Sequence, residues 1–138
     1  MKIYDSFMFF DEEMLLDLRL NILNKYVDKF IITESKYTHK GELKGLTFNI
    51  NKYEQFKNKI IYNVVSELPP NIEPINEEDD KKTREIKFIN NSYKRENHQR
   101  EVAAKCLNEA NPEDVILIND IDEMPNLENI NFNKISNK

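Results

Sequence analysis

Residues 115–125 read Val-Ile-Leu-Ile-Asn-Asp-Ile-Asp-Glu-Met-Pro, an apolar run that ends abruptly in three carboxylates. An uninterrupted Val/Ile/Leu run is typical of a strand buried on both faces of a parallel sheet. Open α/β sheets bind their ligands just beyond the carboxyl ends of such strands. Because side chains two apart in an extended segment point the same way, Asp120 and Asp122 are predicted to face one ligand while Ile121 faces the opposite side. Paired carboxylates suit a hard divalent cation, which would also bind the phosphate groups of a ligand. The alternative is an acidic loop that only caps the strand.

Length and composition restrict the class of protein. The 138 residues are enough for one domain. With 20 basic and 25 acidic side chains and a net charge of −5, the chain is not expected to bind nucleic acid. The single cysteine, Cys106, excludes an internal disulfide and a cysteine-based zinc site. No apolar run approaches the ~20 residues of a membrane span, and the N-terminus lacks a signal-peptide pattern, so a cytoplasmic location is predicted.

Four apolar segments are predicted to be strands, and helical patterns separate some of them. Such alternation is typical of βαβ units and indicates an α/β fold with a mainly parallel sheet. The predicted strands cover residues 2–9, 29–34, 59–65 and 114–119.

The first helical pattern follows the first strand. Asp11 is predicted to cap this helix, and Glu12 and Glu13 suit the positive end of its dipole. Arg19 interrupts the apolar face, and a buried guanidinium there needs a carboxylate partner, for which Glu34 is the candidate. Helical spacing predicts that the buried face consists of Met14, Leu15, Leu18, Ile22, Leu23 and Tyr26.

A second helix is predicted before the last strand. Glu96 and Arg100 lie within its apolar stripe at the favourable i, i+4 spacing, as a structural salt bridge or as a binding element. The polar segment 35–58 contains Gly41 and Gly45, and it is either a cover over a ligand or a solvated excursion. The predicted buried face of the second helix consists of Ile86, Ile89, Tyr93, Glu96, Arg100, Ala103 and Leu107.

Three blocks of the chain together resemble glycosyltransferase family 17, and the likeness extends from residue 2 to about residue 125. The first block is Lys-Ile-Tyr-Asp-Ser-Phe-Met-Phe-Phe-Asp-Glu-Glu at 2–13 with Leu-Leu-Asp-Leu-Arg-Leu-Asn at 15–21. The second is Val-Asp-Lys-Phe-Ile-Ile-Thr-Glu-Ser at 27–35. The third is Arg-Glu-Asn-His-Gln-Arg at 95–100, followed by the acidic stretch already quoted.

The resemblance implies a GT-A-like (Rossmann-like) nucleotide-sugar-binding domain. It also implies metal-dependent, hexosaminyltransferase-like transfer from a UDP-sugar, UDP-GlcNAc, to a glycan acceptor. Carried over to this chain, the family's Asp-x-Asp motif makes Asp120 and Asp122 the ligands of Mn²⁺ or Mg²⁺ on the donor diphosphate. Such an ion neutralises the charge that builds up on the departing UDP. The residues expected to bind the donor are Phe9, Phe10, Glu12, Glu34, Gln99, Arg100 and Asp120.

The chain departs from the family pattern because the family's domain is longer. Residues 1–125 are therefore expected to be an N-terminal donor-binding portion, truncated after the Asp-x-Asp strand, and residues 126–138 a polar Asn-rich tail. Acceptor contacts and the catalytic base are expected from a partner chain or a missing C-terminal half, and the sequence points to no catalytic residue. Two alternatives stay open: an inactive remnant or donor-binding piece of a split enzyme, and a receiver-like phosphoryl-transfer domain.

Overall fold

The computed structural model describes residues 1–134 and contains one parallel sheet of four strands in the order β3-β2-β1-β4. The predicted α/β class and the parallel sheet are confirmed. The elements are β1 Ile3–Phe9, α1 Glu13–Leu23, β2 Lys29–Ser35, β3 Ile60–Val65, α2 Lys81–Ala104 and β4 Val115–Ile118. Short 3₁₀ segments occupy Ile50–Phe56, Lys105–Leu107 and Phe132–Lys134.

The order of the strands reverses between β1 and β4. The chain adds β2 and then β3 on one side of β1, and after α2 it places β4 on the other side. Where strand order reverses in an open parallel sheet, a crevice forms at the carboxyl ends of the strands on either side of the reversal, and ligands bind there. The ends of β1 and β4 are therefore the place where topology favours a site. Here β4 is an edge strand of the described sheet, with Val115, Ile116 and Leu117 half-buried and Ile118 60% exposed, so the predicted burial of this strand on both faces was wrong.

Both faces of the sheet are covered. On one face Tyr4 and Ile31 pack against Ala103 of α2. On the other face the larger core extends past residue 125, because Leu127 is buried in it. The predicted division at residue 125 stays a prediction, and residues 135–138 of the tail lie outside the described residues. The larger core contains Phe7, Phe9, Leu16, Leu20, Leu23, Val27, Phe30, Ile32, Tyr53, Phe56, Ile121 and Leu127.

A buried ion pair joins α1, β1 and the turn after β4. The Nε and Nη2 atoms of Arg19 each donate to an oxygen of Asp5 at 2.8 Å, and both side chains are fully buried. Arg19 Nη1 donates to three backbone carbonyl oxygens, those of Asp120 at 3.0 Å, Ile121 at 3.1 Å and Glu123 at 2.9 Å. The prediction that Glu34 pairs with Arg19 was wrong. Asp5 faces α1, whereas the Glu34 carboxylate accepts its hydrogen bonds from other residues.

The predicted cap of α1 was wrong, and its predicted buried face was right only in part: Leu23 is buried and Leu15 and Tyr26 are partly buried. The helix begins at Glu13, and Glu12 at the N-cap makes no side-chain cap bond, so Asp11 is not the cap. Met14 is 81% exposed, and Leu18 and Ile22 are also exposed. The rotation of α1 follows from the Arg19–Asp5 pair, which turns a different set of side chains to the sheet. That buried set is Leu16, Arg19, Leu20 and Leu23.

The predicted buried face of α2 was right for Ala103, with Leu107 partly buried beyond the helix end, and wrong for the apolar residues nearer the start of the helix. Ile86, Ile89 and Tyr93 are exposed, by 49%, 52% and 62%. The helix instead buries polar side chains that hold neighbouring loops: Asn91, for example, accepts from the Glu73 N–H and donates to the Glu73 carbonyl, both at 2.8 Å. The buried face is Asn91, Arg95, Gln99 and Ala103. No described helix is long and apolar enough to cross a bilayer.

Arg19→Lys and Asp5→Asn should each lower the free energy of unfolding by about 3–5 kcal/mol, because each breaks a buried pair and leaves polar atoms without partners. Lysine keeps the charge but cannot make the paired contact to Asp5 and the three carbonyl bonds together. Urea unfolding followed by circular dichroism measures the loss. Asp17→Asn, at an exposed position of α1, is the matched control and should change stability by less than about 0.5 kcal/mol. An equally small change for Asp5→Asn would contradict the structural role of the pair.

Candidate functional site

An open cavity of about 440 Å³ lies at the carboxyl ends of the strands, next to the reversal of strand order. Its volume falls within the range of small-molecule sites. The segments after β1, β2 and β4 and the middle of α2 supply its walls. The polar and aromatic side chains that line it are Phe9, Phe10, Glu12, Ser35, Tyr37, His39, Lys44, Glu96, Gln99, Asp120 and Asp122.

The Asp-x-Asp motif forms a turn after β4. The Glu123 N–H donates to the Asp120 carbonyl at 3.0 Å, and the Glu123 carboxylate accepts from the Asp120 N–H at 3.2 Å. The side chains of Asp120 and Asp122 are exposed and both line the cavity, whereas Ile121 is buried in the core. The turn, held by the three bonds from Arg19, thus brings the two carboxylates to the same cavity. Their ligation of a metal stays a prediction.

The middle of α2 places an ion pair beside this turn. The predicted Glu96–Arg100 pair is present, with Arg100 Nη2 2.9 Å from Glu96 Oε1. The same nitrogen lies 3.4 Å from Asp120 Oδ1. Gln99 is mostly buried and lines the cavity next to them. Arg100 itself does not line the cavity, but it contacts Glu96 and Asp120, which do, and so connects α2 to the Asp-x-Asp turn.

Glu34 was expected to contact a donor, but it is fully buried and does not line the cavity. Its Oε1 accepts from Lys44 Nζ at 3.1 Å and from the Thr47 N–H at 2.7 Å, and its Oε2 accepts from the Tyr62 hydroxyl at 2.8 Å and the Phe48 N–H at 3.2 Å. Burial opposes ionisation, but these hydrogen bonds outweigh it and lower the pKa of Glu34. Burial and the bond to Glu34 raise the pKa of Tyr62.

Residues 36–48, called the strap here, form one wall of the cavity. Tyr37, His39 and Lys44 of the strap line it. Arg95 of α2 holds the strap in place, since its Nη1 donates to the His39 carbonyl at 2.8 Å. Gly41 lies against the Arg95 guanidinium with φ of +86°, a conformation that favours glycine. Burial lowers the pKa of Arg95. Part of the polar segment 35–58 thus lines the cavity, and its role as a cover over a ligand stays a prediction.

Two of the aromatic side chains differ in role. The Phe9 ring is buried and packs edge-on against Phe48 of the strap, with ring centres 6.1 Å apart. The Phe10 ring is half-buried and lies nearly parallel to the His39 ring, with centres 6.3 Å apart and planes 15° apart. Lys44 Nζ lies 4.7 Å from the centre of the Phe10 ring. Of the two phenylalanine rings, Phe10 is thus the one that a ligand can reach, and the His39 ring lies beside it.

The charges that line the cavity favour a cation. Among the described residues one ammonium group lines the cavity, that of Lys44, and it is paired with Glu34. Within residues 1–134, no three acidic, histidine or cysteine side chains are arranged as a complete metal site. Mg²⁺ is often bound by one or two carboxylates with phosphate oxygens and water, so the Asp120–Asp122 pair fits a cation whose coordination a phosphate ligand completes. The lining carboxylates are Glu12, Glu96, Asp120 and Asp122.

Comparison with known proteins gives one family. The sequence model of glycosyltransferase family 17 matches residues 1–138. The human β-1,4-mannosyl-glycoprotein 4-β-N-acetylglucosaminyltransferase is 28% identical over 125 residues, which cover 88% of this chain and 21% of the human one. The rat and mouse enzymes of the same name are 28% and 27% identical, with the same coverage. The chain thus spans about a fifth of the length of these relatives (21%). No solved structure matches.

Gly41→Ala should lower the free energy of unfolding by about 1–3 kcal/mol, because φ is positive and the new Cβ would meet a charged group. The Cβ would lie 2.8 Å from Arg95 Cζ. Gly45→Ala, in the same strap, is the matched control, since its Cβ would have no atom within 4 Å. Thermal unfolding compares the two variants. Equal melting temperatures would contradict the close packing of the strap on Arg95.

Glu34→Gln should destabilise the chain by about 2–3 kcal/mol at pH 7, since bonds to a buried carboxylate are stronger than those to an amide. The pKa of Glu34 is lowered from its ordinary 4.5, so the carboxylate's contribution is present above that pH and is lost as pH falls through the lower folded value. Urea unfolding from pH 7 to pH 3 should show the two proteins converging at low pH. Glu42→Gln, at an exposed strap position, should follow the unaltered chain. A difference that stays constant with pH would contradict this assignment.

Proposed function

The chain belongs to glycosyltransferase family 17, and on this premise we propose that it binds the UDP-sugar donor of a metal-dependent transfer to a glycan acceptor. We propose UDP-GlcNAc as the donor because the human, rat and mouse relatives are named N-acetylglucosaminyltransferases. The observation that carries the proposal is the cavity at the reversal of strand order, which combines the Asp120 and Asp122 carboxylates with the Phe10 ring.

Electrostatics supports a requirement for a divalent ion. A diphosphate would meet four lining carboxylates and one already paired ammonium group, so its charge has to be offset. In the proposal Asp120 and Asp122 hold Mn²⁺ or Mg²⁺ against the diphosphate oxygens. When bound, the ion acts as a Lewis acid and stabilises the negative charge of the leaving nucleotide. Arg19 contributes by holding the backbone of the turn, so the backbone that carries the two carboxylates does not have to be ordered when the ion arrives.

The nucleotide base is assigned to the aromatic side of the cavity. The Phe10 ring offers a surface on which a base can stack, and stacking on an aromatic side chain contributes about 1–3 kcal/mol. The His39 ring plane lies beside it, and the Gln99 amide of α2 lines the same cavity as a hydrogen-bonding group. Glu12 caps the turn after β1, where its carboxylate accepts from the Phe10 N–H at 2.9 Å. Glu34 is reassigned from donor contact to support of the strap.

Only the donor half of the reaction is assigned to the described residues. The base that deprotonates an acceptor hydroxyl in an inverting transfer and the acceptor contacts are assigned to none of them. In the proposal these come from a partner chain or a further segment, so the chain alone binds the donor. The alternative of an inactive remnant predicts no donor binding, whereas a receiver-like domain is disfavoured by membership of a transferase family.

Calorimetric titration of UDP and UDP-GlcNAc into the purified chain tests the proposal. Binding should appear with Mn²⁺ and disappear with EDTA, and Asp122→Asn should weaken it by more than about tenfold, since loss of even an outer-shell partner typically costs about 10–100-fold. Asp17→Asn is the control with the same change of charge at an exposed position away from the cavity.

Two results would count against the proposal. Absence of donor binding by a chain whose circular dichroism spectrum shows that it is folded would favour the inactive remnant. Binding of equal strength in Mn²⁺ and EDTA would contradict the role of the Asp-x-Asp turn and leave the aromatic side as the source of affinity.

A further inference from the structure

One guanidinium group is shared by two carboxylates at the edge of the cavity. Arg100 Nη2 lies 2.9 Å from Glu96 Oε1 and 3.4 Å from Asp120 Oδ1, and both carboxylates line the cavity. The Nη1 and Nε atoms of Arg100 make no hydrogen bond to the residues that the structure describes. Roughly a third of the Arg100 side chain is exposed (37%), so part of this side chain is accessible to a ligand.

The two contacts of Arg100 differ in strength. The bond to Glu96 is short and lies within one helix at the i, i+4 spacing, whereas the contact to Asp120 is long and crosses to another element. A charged pair at 3.4 Å on a carboxylate that is 54% exposed is weak and readily exchanged. Glu96 therefore anchors Arg100, and Asp120 is the partner that it can release.

We propose that Arg100 is an exchangeable counter-ion of Asp120, which releases that carboxylate to the divalent ion and then uses its free N–H groups on the donor phosphate. The inference rests on the proposed function and adds an order of events to it. Before the ion arrives, Arg100 offsets part of the negative charge at the turn. When Asp120 turns to the ion, two cations cannot share one carboxylate without repulsion. Arg100 stays beside the site because Glu96 holds it, and a planar guanidinium suits phosphate oxygens.

This role predicts that a single variant binds Mn²⁺ more tightly and UDP more weakly than the unaltered chain. Arg100→Gln removes a positive charge that competes for Asp120, so Mn²⁺ alone should bind about two- to fivefold more tightly, the scale of an exposed ion pair. The same change removes a charge-assisted bond to the donor, so the affinity for UDP at saturating Mn²⁺ should fall by about tenfold or more. A structural role alone would weaken both interactions or neither. Arg100→Lys keeps the charge but not the planar fork, so its Mn²⁺ affinity should match the unaltered chain.

The measurement is Mn²⁺ binding followed by the loss of the electron paramagnetic resonance signal of the free ion, then titration of UDP at saturating Mn²⁺. Arg84→Gln, at an exposed position near the start of the same helix, is the matched control and should change neither affinity. Tighter Mn²⁺ binding and weaker UDP binding by Arg100→Gln would support the proposal. Weaker or unchanged Mn²⁺ binding by a variant with unaltered melting temperature would overturn it. Absence of Mn²⁺ and UDP binding by the unaltered chain would instead overturn the proposed function, so the two failures are distinguishable.

Discussion

The buried contact between Arg19 and Asp5 is the constraint on which the other features depend. A buried guanidinium is tolerated only with a carboxylate and further acceptors, and this one has both oxygens of Asp5 and three backbone carbonyls. Since these acceptors lie on β1 and on the turn after β4, the helix that carries Arg19 cannot rotate or slide without breaking several bonds. One side chain thus sets the orientation of α1 and the shape of the Asp-x-Asp turn.

The two walls of the cavity are built by the same kind of interaction. On the strap side Glu34 is buried and receives hydrogen bonds from the strap and from Tyr62. On the side of the turn, Arg19 is buried and donates to backbone carbonyls. Between the walls lies α2, which supports the strap through Arg95 and approaches the turn through Arg100. Buried or half-buried charges with local partners, more than apolar packing, therefore position the lining of the cavity.

The sequence predicts the sheet because its strands are continuous apolar runs, and it predicts the location of Phe10, Asp120 and Asp122 because they directly follow strands. The helix faces are not predictable in the same way. Apolar residues occur on several sides of α1, and α2 buries polar side chains whose partners are distant loops. Asp5 lies inside an apolar strand, where nothing local indicates its pairing with Arg19. The contribution of His39 and the strap depends on a backbone contact with Arg95, which no spacing encodes.

Arg19 holds the turn after β4 through backbone carbonyls, and the Glu123 carboxylate adds one bond from the Asp120 N–H, whereas the side chains of Asp120 and Asp122 make no hydrogen bond within the turn. The shape of the turn and its proposed ability to bind an ion therefore depend on different atoms. Apart from Ile121, which is buried, and Glu123, whose carboxylate bonds within the turn, the side chains here are not needed for its shape, because Arg19 binds atoms that every residue carries. Such a frame lets a lineage alter, lose or regain ion binding at little cost in folding, while a change at Asp5 or Arg19 would be costly.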